Sequence, residues 1–165
     1  MFKMTTNFCV SDIPSSDDVN QRIMLAACCG ALVALVPVAL YQTGAISHRP
    51  DPSCPVFDSD RITQSKAAHP FGISDALLGL ASFSVTLALI FTSQQNIRAR
   101  GLLGAKLAFD SGAAALNATR QVISYGKLCS WCMGTAISAG VITFAGRHVV
   151  AGSFADVHNF VKQEA

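Results

Sequence analysis

The stretch "KLCSWCMGTAISAGVITFAGR", residues 127–147, carries no charge between its first and last residue. A run of about 20 apolar residues is what a helix needs to cross the hydrocarbon core of a bilayer. This run opens on Cys129 and Cys132, two cysteines three positions apart. It therefore asks two things together: whether the chain lives in a membrane, and what a cysteine pair does at the end of a membrane helix.

The rest of the chain answers the first. Its 165 residues suit a single domain, and 51% are hydrophobic while only 13% are charged. Soluble domains carry about 25% charged residues, and the mean hydropathy here is +0.42. Two further gaps are free of charge, from Arg22 to His48 and from Asp75 to Arg98. The net charge of +2, without a basic run, argues against a nucleic-acid partner. The first gap is too long for the apolar core of a signal peptide and follows a polar stretch, so it is expected to stay in the protein. Pro37 within it is tolerable, because neighbouring groups in a membrane bundle re-satisfy the freed carbonyl.

These gaps predict an all-α integral membrane protein, a four-transmembrane-helix bundle over residues 22–150. A polar N-terminal tail occupies 1–21 and a short tail 151–165, with Phe154, Val157 and Phe160 as the apolar residues of the latter. Helix one is expected from Arg22 to Ile46. An extramembrane loop follows at 47–71, with a surface helix near 59–67. Helix two is "GISDALLGLASFSVTLALIFTSQQ", joined by the link "NIRAR" to helix three, "GLLGAKLAFDSGAAALNATRQVISYG". Helix three carries Lys106, Asp110, Asn117 and Arg120. Lys106 and Asp110 are four apart and can pair on one face, as intramembrane charges must. An amphipathic surface helix is the alternative there, and a small transporter using Lys106, Asp110 and Arg120 is an alternative function. Helix four is "LCSWCMGTAISAGVITFAG".

Four crossings put both termini on one side. Lys3, Arg22, Arg98, Arg100, Arg147 and Lys162 fall on that side, with Lys106 near it, against Arg49, Arg61, Lys66 and Lys127 on the other. The positive-inside rule weighs the short, doubly basic link most. It predicts cytoplasmic termini and an outer face that holds the long loop and the start of helix four. Cys129, Cys132 and the loop residue Cys54 then share the compartment where disulfides persist. A helix N-terminus favours a thiolate, and the pair's spacing suits an exchangeable disulfide. Zinc commonly takes two such pairs and only one is present, so no metal site is expected. A thioredoxin-like reading lacks its βαβ context. Two inert buried cysteines remain the bland alternative. Trp131 reads as an interface anchor, Cys28 and Cys29 as packing or lipid-facing residues, and Cys9 has no assigned role.

With these residues in place, the chain resembles the vitamin K epoxide reductase family, in its bacterial type without a fused thioredoxin domain. The matching pieces are "SCPVFDS" in the loop, "FGISDALLGLASF" opening helix two and "YGKLCSWCMGTAISAG" opening helix four. The resemblance implies a membrane thiol–quinone oxidoreductase in a bacterial cell (inner) membrane, with a quinone of the menaquinone or ubiquinone type, or a quinone epoxide, as electron acceptor. It implies that Cys132 delivers electrons to the ring and that Cys129 exchanges with Cys54. It further implies that the loop deals with a separate thioredoxin-like protein or an outer-face thiol substrate, while lipid surrounds the helices. Asp75, where the family usually has Asn, Ser59, which matches a loop serine, and Trp131 are the candidate cofactor-binding residues. The chain departs from the family at Ala136, where a tyrosine is common, and in the loop, where Cys54 stands alone instead of in a pair. A divergent inactive relative and a membrane anchor with a structural disulfide are the alternative readings.

Overall fold

A computed structural model describes residues 15–65, 68–69 and 72–153. The expected tail helix residues Phe154, Val157 and Phe160, and the charges Lys3, Lys66 and Lys162, lie outside the described residues, as does Cys9. Five helices follow in order: α1 (Ser16–Gln42), α2 (Ser59–Thr63), α3 (Asp75–Thr92), α4 (Ile97–Tyr125) and α5 (Ser130–Ala145).

The boundaries follow from capping, which apolar runs do not report. Helix α1 begins at Ser16, six residues before Arg22, because Ser15 and Asp18 form a capping box. It ends at Gln42, ahead of Ile46, where the chain turns through Gly44 at φ 78°. The expected link 96–100 is mostly helix. Asn96 caps α4 by accepting the N–H groups of Arg98 and Ala99, and only residues 93–96 join it to α3. Gly126, at φ 61°, closes α4 in the left-handed conformation that glycine takes without penalty. The surface helix is shorter than expected and spans Ser59–Thr63.

The four long helices pack as a ring in which α1 meets α3 and α5, and α4 meets the same two. On α1 the buried face is Met24, Cys28, Ala31, Leu35 and Val38, spaced by three and four as a helical stripe demands. Phe83 and Ile90 of α3, Leu103 and Leu107 of α4, and Ala139 and Ile142 of α5 close the core around it. Gly146 sets the approach of α5 to its neighbours: a Cβ there would lie 2.6 Å from Leu107 and 3.1 Å from Met24.

The outside of the bundle is apolar as well. Val33, Phe91, Leu102, Phe109, Leu116, Ile123, Ile137 and Phe144 are all exposed. An apolar surface of this extent marks contact with something other than water. Two helices, α1 and α3, are long and apolar enough to cross a bilayer, while α5 is apolar but shorter. Helix α4, with its charges, does not meet the same hydropathy test.

Candidate active site

The loop 43–74 and the α4–α5 turn meet at one end of the bundle, the loop end. Phe57 and Leu128 form a parallel bridge, in which Leu128 N–H donates to Val56 O at 2.9 Å and Asp58 N–H to Leu128 O at 3.0 Å. Cys54 opens the turn that leads into this bridge, its carbonyl accepting the Phe57 N–H at 3.0 Å. The exposed loop cysteine is thus carried within one turn of the strand-like segment that ends at Cys129.

Cys129 is the N-cap of α5, a place usually taken by Ser, Thr, Asp or Asn. Its sulfur accepts the backbone N–H of Cys132 at 3.1 Å. Its own N–H donates to Gln121 Oε1 at 2.9 Å, so the buried backbone is satisfied from α4. Cys129 is fully buried, whereas Cys132 is half-buried. The Cys132 thiol donates toward the Cys129 sulfur and is the largest influence holding its pKa below that of an ordinary thiol. Burial works in the opposite direction, but the Cys132 N–H, the Ser59 hydroxyl and the positive charge of Arg49 add to the lowering.

Below the pair, Asp51 ties the loop to the first turn of α5. Its Oδ1 accepts the hydroxyls of Ser59 and Ser130, each at 2.6 Å, and its Oδ2 accepts the Ser59 N–H at 2.8 Å. Ser130 N–H donates to Ser59 Oγ at 3.0 Å. Burial would raise the Asp51 pKa, but these hydrogen bonds and Arg49 outweigh it and hold the carboxyl below its usual range. Arg49 is itself buried, 4.2 Å over the Tyr41 ring, and donates to Asp60 at 3.0 Å and Thr63 at 2.6 Å. Trp131 Nε1 donates to Pro50 O at 3.2 Å, a second tie between pair and loop.

On its other side, Cys132 lines a cavity of about 320 Å³ enclosed by α1, α3, α4 and α5. Leu35, Val38, Leu78, Phe83 and Phe109 supply apolar wall, while Asp75 and Asn117 are polar groups near Cys132. Asp75 Oδ1 accepts from Gln42 Nε2 at 2.8 Å, so the same carboxylate that opens α3 also reaches across to α1. Ala136 lines the cavity where the resemblance leads one to expect a tyrosine.

The expected site residues therefore divide. Cys132 and Asp75 share the cavity, and Cys129 faces the loop with Cys54 one turn away. Ser59 and Trp131, expected beside the cofactor, do not line this cavity; their polar atoms are engaged by the loop ties through Asp51 and Pro50. Asp51, Ser130, Gln121 and Arg49 were not anticipated. Ser130 had a signal, standing between the two cysteines, but nothing along the chain links it to Asp51. Among the described residues no cluster of His, Cys, Asp or Glu is placed to hold a metal.

No curated protein and no solved structure matches the chain. The model of the vitamin K epoxide reductase family matches residues 22–145, most of the sequence, and the chain belongs to this family of integral membrane oxidoreductases.

Proposed function

We propose that the protein couples thiol–disulfide exchange at the loop end to reduction of a quinone held in the bundle. The observation that carries this reading is the division of the pair. Cys132 opens onto an apolar cavity, while Cys129 is buried against the loop that bears Cys54. The family works with quinones and with thioredoxin-like partners. The cavity suits such a ring: Leu78 and Phe109 line it and are also exposed on the bundle exterior, leaving an apolar route for a lipid-soluble tail. Asp75, Asn117 and Cys132 would hold the ring at the loop end. A quinone supplies a two-electron, two-proton acceptor.

The protein's own groups do the rest. Cys129 and Cys132 go from two thiols to one disulfide, releasing two electrons and two protons toward the cavity. A thiolate from Cys54 or from a separate thioredoxin-like protein then attacks the Cys129 sulfur, and Cys132 leaves as thiolate. A dithiol partner ends as a disulfide, so electrons and sulfur balance. The depressed Cys129 pKa keeps it reactive, and the Asp51, Ser59 and Ser130 ties hold the loop against it. All four long helices cross the membrane in this reading. Lys106 and Asp110 neutralise each other at 2.6 Å within α4, which supports its crossing. Both termini are then cytoplasmic, with the pair at the outer face of a bacterial cell membrane.

The test is reduction of a soluble quinone by purified protein in nanodiscs, driven by dithiothreitol. Cys132→Ser should abolish turnover and Cys129→Ser should do the same. A Cys132→Ser protein as fast as the parent would sink the mechanism. Topology is checked separately with a membrane-impermeant maleimide, which should label Cys54 and not Cys9 in intact cells.

A further inference from the structure

The cavity has a second polar end that the cysteines do not reach. Asp75 and Ser82 of α3 both line it, and so do Asn117 and Asp110 of α4. Each pair is seven residues apart, on one helical face and about 10 Å apart along the axis. Asp75, Asn117 and Cys132 thus make the loop end of a slot, and Ser82 and Asp110 its inner end. Leu78, Gly79, Ala113 and Ala114 lie between.

At the inner end a small network is anchored by Lys106. Its Nζ donates to the two Asp110 carboxylate oxygens at 2.7 and 2.6 Å, to Ser82 Oγ at 2.7 Å and to Thr86 Oγ1 at 3.2 Å. Ser82 and Thr86 in turn donate to Asp110 at 3.1 and 3.0 Å. The Lys106 and Asp110 side chains are 20% and 10% exposed. An ion pair is a poor way merely to join two helices, since apolar residues of similar volume do it as well or better. This one presents Ser82 and Asp110 to the cavity.

We infer that this network is the second anchor of the ring site, so that the preferred ligand is a ring bearing two para oxygens, one for each end of the slot. The inference rests on the quinone-reductase reading and specifies its substrate class. The slot length of about 10 Å leaves room for such a ring and a hydrogen bond of about 2.8 Å at either end. The Ser82 hydroxyl, itself held by Lys106, can donate to a carbonyl oxygen. Asp110 can accept from the hydroxyl of the reduced ring. Lys106 and Asp110 together carry no net charge, so either redox form is met without leaving an uncompensated charge in the bundle.

The experiment measures binding, not turnover, by isothermal titration of protein in detergent. The probes are dimethylnaphthoquinone, with two para oxygens, and tetralone, a fused ring with one. The parent protein should prefer the two-oxygen ring by about tenfold, as one hydrogen bond to a charge-supported group implies. Ser82→Ala and the double variant Lys106→Met/Asp110→Leu should each reduce that preference to within about threefold, while tetralone affinity stays level. Should the double variant fail to fold, the smaller Ser82→Ala change decides alone. An unchanged preference in the folded variants overturns the inference and leaves the quinone reading standing. Absence of any dimethylnaphthoquinone binding to the parent overturns both.

Discussion

The sulfur of Cys129 accepts the backbone N–H of Cys132 at 3.1 Å, so the first cysteine of the pair caps the helix that begins with the second. One contact thereby joins fold to chemistry. The N–H groups at a helix start stabilise negative charge, and here the charge they stabilise is a thiolate. The arrangement explains how a buried sulfur stays acidic when burial alone would make it a weaker acid.

Cys129 should ionise below the ordinary thiol range of about 8.5. The check is thiolate absorbance against pH in a chain whose other cysteines are serine, so that a hydroxyl and the N–H of position 132 still face the sulfur. Arg49→Gln removes a cation that lowers the pKa and should move the titration to higher pH. A midpoint at or above the ordinary value in the Arg49 protein would contradict the account of the site.

Gln121 is 2% exposed and accepts the Cys129 N–H at 2.9 Å. Gln121→Leu leaves that buried donor unmet, a loss of about 1–3 kcal/mol. Thermal unfolding in detergent should show it. Gln121→Glu, which keeps the acceptor, should recover much of the stability but raise the Cys129 pKa by adding a negative charge beside it.

The Asp51 ties should persist through neutral pH and fail in acid. Their carboxyl has a folded pKa below its ordinary value, so its contribution is complete above about pH 4 and is lost as pH falls through the folded pKa. Trp131 is the single tryptophan of the chain and bonds to Pro50 in the loop, so its emission reports docking. Emission should be flat from neutral pH to about pH 5 and shift below about pH 4. Asp51→Asn should give the shifted emission at neutral pH.

Lys106 and Asp110 should behave as a unit. Asp110→Ala leaves a buried ammonium without its partner and should cost about 3–5 kcal/mol, whereas Lys106→Met/Asp110→Leu should be close to neutral. Unfolding of the two proteins in the same detergent gives the comparison. Equal, mild effects would mean that the pair is already solvated.

Gly146 is where α5 approaches Leu107 and Met24 most closely. Gly146→Val should push these helices apart and destabilise the bundle by about 1–3 kcal/mol. The same substitution at Gly112, where a Cβ meets nothing within 4 Å, serves as the control.

The sequence by itself determined the helical, apolar character of the chain, because uncharged runs bounded by Arg22, His48, Asp75, Arg98, Lys127 and Arg147 are a property of composition along a line. It also determined the family chemistry through "KLCSWCM" and the loop cysteine, and the Lys106–Asp110 pair, since helical spacing is local. Helix starts were less legible where caps override hydropathy, as at Ser15 and Asn96. Only the tertiary structure decided which way each sulfur faces and what serves it. Asp51 and Ser130 are 79 positions apart and Ser59 and Ser130 are 71 apart, so their meeting depends on how the loop folds back over α5. The slot with polar groups at both ends likewise belongs to no single segment. It exists because α3 and α4 each place two polar residues seven apart, and packing sets those faces opposite one another across one cavity.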